Sequence, residues 1–125
     1  MTLTGRRLPP TILVAEDNEA VRRLVCTVLT EAGYHVVAAP DGVEALGIAE
    51  SHAGEFAMLL TDVKMPRLGG LELARRLGAK WPGIPVALMS ANATDVTISD
   101  PGWRFIQKPF QPAELVNIVR EMLHQ

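Results

Sequence analysis

Several things this sequence lacks narrow its class before any motif is read. It has one cysteine, Cys26, in 125 residues. A disulfide within the chain is impossible, and no second thiol is present to share a metal. That usage fits a reducing compartment, most simply the cytoplasm. Cys26 itself reads as a helix residue beside a core stripe. Long apolar runs are also missing. None approaches the roughly 18 residues needed to span a bilayer, so no membrane association is expected. The opening MTLTGRRLPP has two arginines but no apolar centre of the secretory kind. We read residues 1–10 as a flexible leader or linker remnant, and 11–125 as one domain. There is no basic surplus: the formal net charge is -2, which leaves no footprint for direct nucleic-acid binding. No G-x-G-x-x-G or P-loop follows the first apolar run. His35, His52 and His124 lack metal-ligand spacing, and none is placed as a phosphodonor.

What the chain does have is an alternation of two patterns. Five short, mostly apolar runs are strand-length: Thr11–Ala15, His35–Ala39, Ala57–Thr61, Pro85–Met89 and Trp103–Gln107. Near-continuous apolar strands are expected of a parallel sheet covered on both faces. Helical periodicity fills the spaces between. Val21, Leu24, Val25, Val28, Leu29 and Ala32 form one stripe, closed by Gly33 at a helix C-terminus. Val43, Leu46 and Ala49 form a second, with Asp41 as N-cap. Leu71, Leu73, Ala74 and Leu77 form a third, ending before Trp81-Pro82-Gly83. Leu115, Ile118, Val119 and Met122 form a terminal helix with Pro112 in its first turn. This order predicts an α/β fold with right-handed crossovers. The stretch SANATDVTISDPG, from Ser90 to Gly102, supports a helix poorly because of its β-branched residues and its turn signal.

Polar residues gather where the strands end. Glu16 and Asp17 follow the first run, Asp62 the third, Ser90 the fourth and Lys108 the fifth. Ligands of open α/β sheets bind outside the carboxyl ends of the strands. Three carboxylates in one crevice repel each other, and a hard divalent cation relieves that. Mg²⁺ suits such a set, because it takes one or two carboxylates plus substrate phosphate. Lys108 and Ser90 then offer a positive charge and a hydroxyl donor to a phosphoryl group, and an Asp carboxylate is a competent nucleophile toward phosphorus.

At this point a family is recognisable. The chain resembles the receiver domains of bacterial response regulators and hybrid histidine kinases. The resemblance rests on ILVAEDNEAVRRLV (12–25), APDGVEAL (39–46), LLTDVKMPRLGGLELA (59–74), VALMSA (86–91) and FIQKPF (105–110). It implies a flavodoxin-like three-layer sandwich, with a five-stranded parallel sheet in the order 2-1-3-4-5. It also implies roles for matching residues. Asp62 would be the phosphoacceptor. Glu16, Asp17, Asp62 and the backbone carbonyl of Lys64 would hold Mg²⁺. Ser90 and Lys108 would contact the phosphoryl group, and Ser90 with Phe105 would form the switch. Lys64 and Asn92 would tune the lifetime of the phosphoryl group. The Lys108–Pro109 peptide would be cis. Gly69 and Gly70 are read as allowing backbone conformations that other residues resist.

The implied function is a two-component phosphorelay switch, not a stand-alone enzyme. It would take its phosphoryl group from a histidine kinase or a histidine phosphotransfer domain and pass the signal to an output partner through a changed surface. The motifs lean toward the receivers of hybrid kinases. One departure stands out: the segment from Ser90 to Lys108 is shorter than the family usually has, so a short or irregular fourth helix is expected there. Other functional classes compete. A constitutive interaction module on the same fold would ignore phosphorylation. A flavodoxin-like cofactor enzyme would need the missing glycine loop. A haloacid-dehalogenase-type phosphatase would need a D-x-D pair, where here Asp62 precedes Val63-Lys64.

Overall fold

The structure is a computed structural model that describes residues 9–53, 55–92 and 102–124. Its elements are β1 (Thr11–Ala15), α1 (Glu19–Glu31), β2 (His35–Ala39), α2 (Gly42–Ser51), β3 (Met58–Asp62), α3 (Gly70–Lys80), β4 (Val86–Ser90), β5 (Trp103–Gln107) and α4 (Pro112–Leu123). All strand pairings are parallel, and the strand order is β2-β1-β3-β4-β5. This is the α/β architecture and the 2-1-3-4-5 order that the sequence implies. Residues 93–101, where the short or irregular helix is expected, lie outside the described residues.

Alternation along the strands builds the three layers. Successive side chains point to opposite faces. Leu13, Ala15, Leu59, Val86, Leu88 and Trp103 pack with α2 and α3 through Ala45, Ala49, Leu73, Ala74 and Leu77. Ile12, Val14, Met58, Leu60, Ala87, Met89 and Ile106 pack the other way, against Val25 and Leu29 of α1 and Leu115 and Val119 of α4. The central strand β3 is buried at every residue, whereas β2 at the sheet edge is buried only at Ala39.

Local chemistry sets the helix ends. The Asn18 side chain caps α1 by accepting from Val21 N–H at 3.0 Å. Gly33 follows with φ +102, the left-handed conformation that ends helices. Asp41 caps α2, accepting from Glu44 N–H at 2.9 Å. Pro112 opens α4, where Gln111 and Glu114 form a capping box.

Three expectations need adjusting. Leu24 is 47% exposed and Val43 45% exposed, because the remaining stripe residues already fill the contact with the sheet. Strands β3 and β4 each begin and end one residue later than the apolar runs, so Asp62 and Ser90 close their strands instead of following them. The positive φ in the loop after β3 falls on Arg67 (φ 71), not on Gly69 or Gly70. What the loop requires of Gly70 is space: a Cβ there would overlap the carbonyl of Asp62. At the N-terminus, Pro10 accepts from His35 N–H at 3.0 Å, and residues 1–8 of the expected leader lie outside the described residues.

Candidate functional site: an acidic cluster bridged by a lysine

One end of the sheet collects the ionisable residues. Glu16 and Asp17 leave β1, Asp62 ends β3, Ser90 ends β4 and Lys108 leaves β5. Because the strands are parallel, all of these ends lie on one rim. Carboxylate oxygens of Glu16, Asp17 and Asp62 lie within 4.8 Å of one another. Glu16 is fully buried, Asp62 is 8% exposed, and Asp17 faces solvent.

Backbone contacts hold these carboxylates in place. Glu16 N–H donates to the Ala39 carbonyl at 3.0 Å, and the Glu16 carbonyl accepts from the Arg22 guanidinium at 2.9 Å. Its side chain accepts from Asn18 N–H at 3.1 Å. Beyond Asp62, Val63 N–H donates to Met89 at 3.0 Å and Gly70 N–H donates to Val63 at 2.9 Å. The Thr61 hydroxyl donates to the Asp62 carbonyl at 2.9 Å. The Asp62 backbone is thus gripped from both sides, with α3 starting directly against it.

Lys108 links the cluster. Its ammonium lies 2.7 Å from Glu16 Oε1 and 3.2 Å from Asp62 Oδ2. Burial raises the Glu16 carboxyl above the ordinary glutamate range. Hydrogen bonds from Lys108 and Asn18 oppose that rise, and the Asp62 charge adds to it. Burial alone would lower the Lys108 ammonium, but the hydrogen bond and charge of Glu16, followed by Asp62, hold it above the usual lysine value. The peptide from Lys108 to Pro109 is cis.

The remaining sequence candidates sit around this cluster. Ser90 is 4% exposed, and its hydroxyl is engaged with the Asn92 backbone. Lys64 is an exposed residue of the loop after β3. Phe105 is half-buried on β5, on the same sheet face as Trp103. Three contributors were not singled out from the sequence. Asn18, an N-cap residue type just before a helical stripe, carried a readable signal. Arg22 carried none. Arg67, paired with Asp41 at 3.2 Å, also carried none, because it depends on a loop meeting a helix start.

The donor set fits a hard cation. Three carboxylates meet one ammonium, which leaves two negative charges when all are ionised, and every available ligand atom is oxygen.

The family pattern described as the response regulator receiver domain matches residues 12–120. The sensor kinase CckA of Brucella abortus is 37% identical over 119 residues, spanning 92% of this chain and 13% of that protein. The response regulator receiver protein CpdR of the same organism is 34% identical over 116 residues, spanning 90% of this chain and 95% of that protein. The response regulator MprA of Mycobacterium sp. (strain KMS) is 35% identical and matches over 52% of its own length. Among solved structures, the receiver domain of the hybrid histidine kinase CckA superposes with a TM-score of 0.81 at 34% identity, covering 91% of this chain and 99% of that one. A response regulator receiver protein from Sinorhizobium medicae gives a TM-score of 0.83 at 26% identity. Fold, rim chemistry and likeness agree: the chain belongs to the response regulator receiver domain family of two-component systems.

Proposed function

We infer that this domain is a phosphorylation switch that accepts a phosphoryl group on Asp62. The observation that carries the reading is the Lys108 ammonium spanning Glu16 and Asp62, with Asp17 completing the acidic cluster. Glu16, Asp17, Asp62 and the Lys64 carbonyl would hold Mg²⁺. When bound, Mg²⁺ supplies charge neutralisation for the incoming phosphoryl oxygens. The protein's own groups do the rest. The Asp62 carboxylate, fixed by the clamped backbone of β3, attacks phosphorus, and the phosphorus bond to the donor's nitrogen or oxygen breaks. Lys108 exchanges part of its carboxylate contact for a phosphoryl oxygen. Ser90 offers its hydroxyl to another. Phe105, half-buried in the middle of β5, is the aromatic partner whose position responds to Ser90. Lys64 and Asn92 flank the path of a hydrolytic water and set the phosphoryl lifetime.

The donor class is a histidine kinase or a histidine phosphotransfer domain, and the setting is the cytoplasm, consistent with a lone free cysteine. No helix among the described residues is long and apolar enough to cross a membrane. Phosphorylation adds about -1.5 to -2 of charge at the rim, which biases the loops a partner reads. The test is Mg²⁺-dependent labelling by acetyl phosphate. The parent should take label and Asp62→Asn should not. A parent that takes no label from acetyl phosphate or from phosphohistidine donors would sink the reading. Partner binding indifferent to label would leave a constitutive module in its place.

A further inference from the structure

β4 and β5 share a side-chain contact that the phosphorylation chemistry does not use. Gln107 is the last residue of β5, and its carboxamide Nε2 donates to the main-chain carbonyl of Ala91 at 3.1 Å. Ala91 is the middle residue of a small turn. The flanking Ser90 hydroxyl accepts from Asn92 N–H and donates to the Asn92 carbonyl, both at 3.1 Å. Lys108 N–H donates to the Ser90 carbonyl at 2.9 Å, fixing the start of the same turn to the strand beside it. The turn is therefore closed on itself by a hydroxyl and bolted to β5 by a carboxamide.

A serine hydroxyl has a single proton to give. Here the Asn92 carbonyl lies within its reach, at 3.1 Å. Donating the proton to a phosphoryl oxygen on Asp62 gives up the bond to the Asn92 carbonyl, which frees the backbone of Ala91 between them to turn. That turning takes the Ala91 carbonyl away from Gln107. Ser90 and Gln107 are register partners in the β4–β5 pair, so the carboxamide reaches Ala91 from directly alongside.

We propose that Gln107 is a latch on this turn: a positioning residue that holds the resting arrangement and sets how readily Ser90 is released toward the phosphoryl group. The proposal rests on the reading of Asp62 as phosphoacceptor and adds to it a determinant of the resting bias. Gln107 acts through Ala91, not by touching the reacting atoms. Loss of one such hydrogen bond shifts a two-state equilibrium about three- to tenfold. The ligand's apparent affinity rises by the same factor as long as the released state is the minor one.

The experiment compares the parent with Gln107→Met, which keeps the side-chain length but cannot donate, and with Gln107→Ala. Isotope-labelled protein is titrated with beryllium fluoride, a phosphoryl mimic, in the presence of Mg²⁺, and the Ala91 and Asn92 amide resonances are followed. Both variants should bind the mimic about three- to tenfold more tightly. Before any addition, their Ala91 and Asn92 resonances should already be displaced toward the saturated positions of the parent. A role confined to stability would move the urea midpoint without displacing those resonances toward the saturated positions. Unchanged or weaker affinity in Gln107→Met overturns the latch. If the parent itself takes neither the mimic nor acetyl-phosphate label, the phosphoacceptor reading falls and the latch with it. If the parent responds and the variants merely match it, only the latch falls.

Discussion

The Lys108 ammonium lies 2.7 Å from the carboxylate of Glu16, a side chain that is only 1% exposed. The two residues are far apart in the chain and come from opposite sides of β3. Their pairing ties the first strand's end to the last across the site. It keeps a buried negative charge compensated, and Lys108, 20% exposed, retains some solvent.

Removing that compensation has a cost. Lys108→Met leaves Glu16 buried without its cation, so the protein without added metal should lose about 1–3 kcal/mol. This lies below the loss expected for a fully buried pair, because Lys108 is partly solvated. Urea denaturation in chelator measures it. Added Mg²⁺ should return part of the loss. An unchanged midpoint would mean the pair contributes nothing to stability.

Mg²⁺ should raise the melting temperature of the parent, since a ligand that binds only the folded state stabilises it by about 1.4 kcal/mol at a tenfold excess over Kd. Asp17 is exposed, so Asp17→Asn should leave the fold intact while abolishing the Mg²⁺ shift. Its metal-free melting point should match or exceed the parent's, because one repelling carboxylate is gone. A full Mg²⁺ shift in Asp17→Asn would remove that residue from the metal set.

The glycines divide by space. Gly70→Ala drives a Cβ into the Asp62 carbonyl and should cost about 1–3 kcal/mol as overpacking, with weaker phosphorylation. Gly47 in α2 and Gly78 in α3 have nothing within 4 Å of a built Cβ. Their alanine variants should gain about 0.5–1 kcal/mol through helix propensity. Equilibrium unfolding of all three decides it, and the same sign at all three would refute the distinction.

Asp41 gives a pH prediction. The hydrogen bond from Glu44 N–H, aided by Arg67, holds its carboxyl below the usual 3.8. A depressed acid contributes stability that is fully present above 3.8 and is lost as pH falls through the lower folded value. Asp41→Asn keeps a cap acceptor but cannot titrate, so its stability should fall less steeply as the pH drops below 3.8. Parallel curves for parent and variant would argue against this role.

The element order and the identity of the rim residues were legible in the sequence because both rest on local signals. Apolar runs of strand length, capping residues and polar residues at strand ends need no partner to be read. What escaped depends on partners. Leu24 looked like core because periodicity cannot tell the centre of a stripe from its flank. The one-residue offset of β3 and β4 comes from the strands they pair with. Gly70 looked like a conformational requirement and is a spatial one, since its neighbour, the Asp62 carbonyl, arrives from another element. Arg67 in a left-handed conformation, Arg22 on the Glu16 carbonyl and Gln107 on Ala91 are tertiary facts with no local signature.

The all-parallel sheet gives this molecule a working end and a handle end. Every ionisable group of the site hangs from the rim where the strands finish. The opposite rim, with the turn at Gly33 and the Trp81–Pro85 connection, carries none of them. Fusions, tags or surface attachment placed at the handle end would leave the chemistry undisturbed. Changes at the working end can alter reactivity without asking anything new of the core.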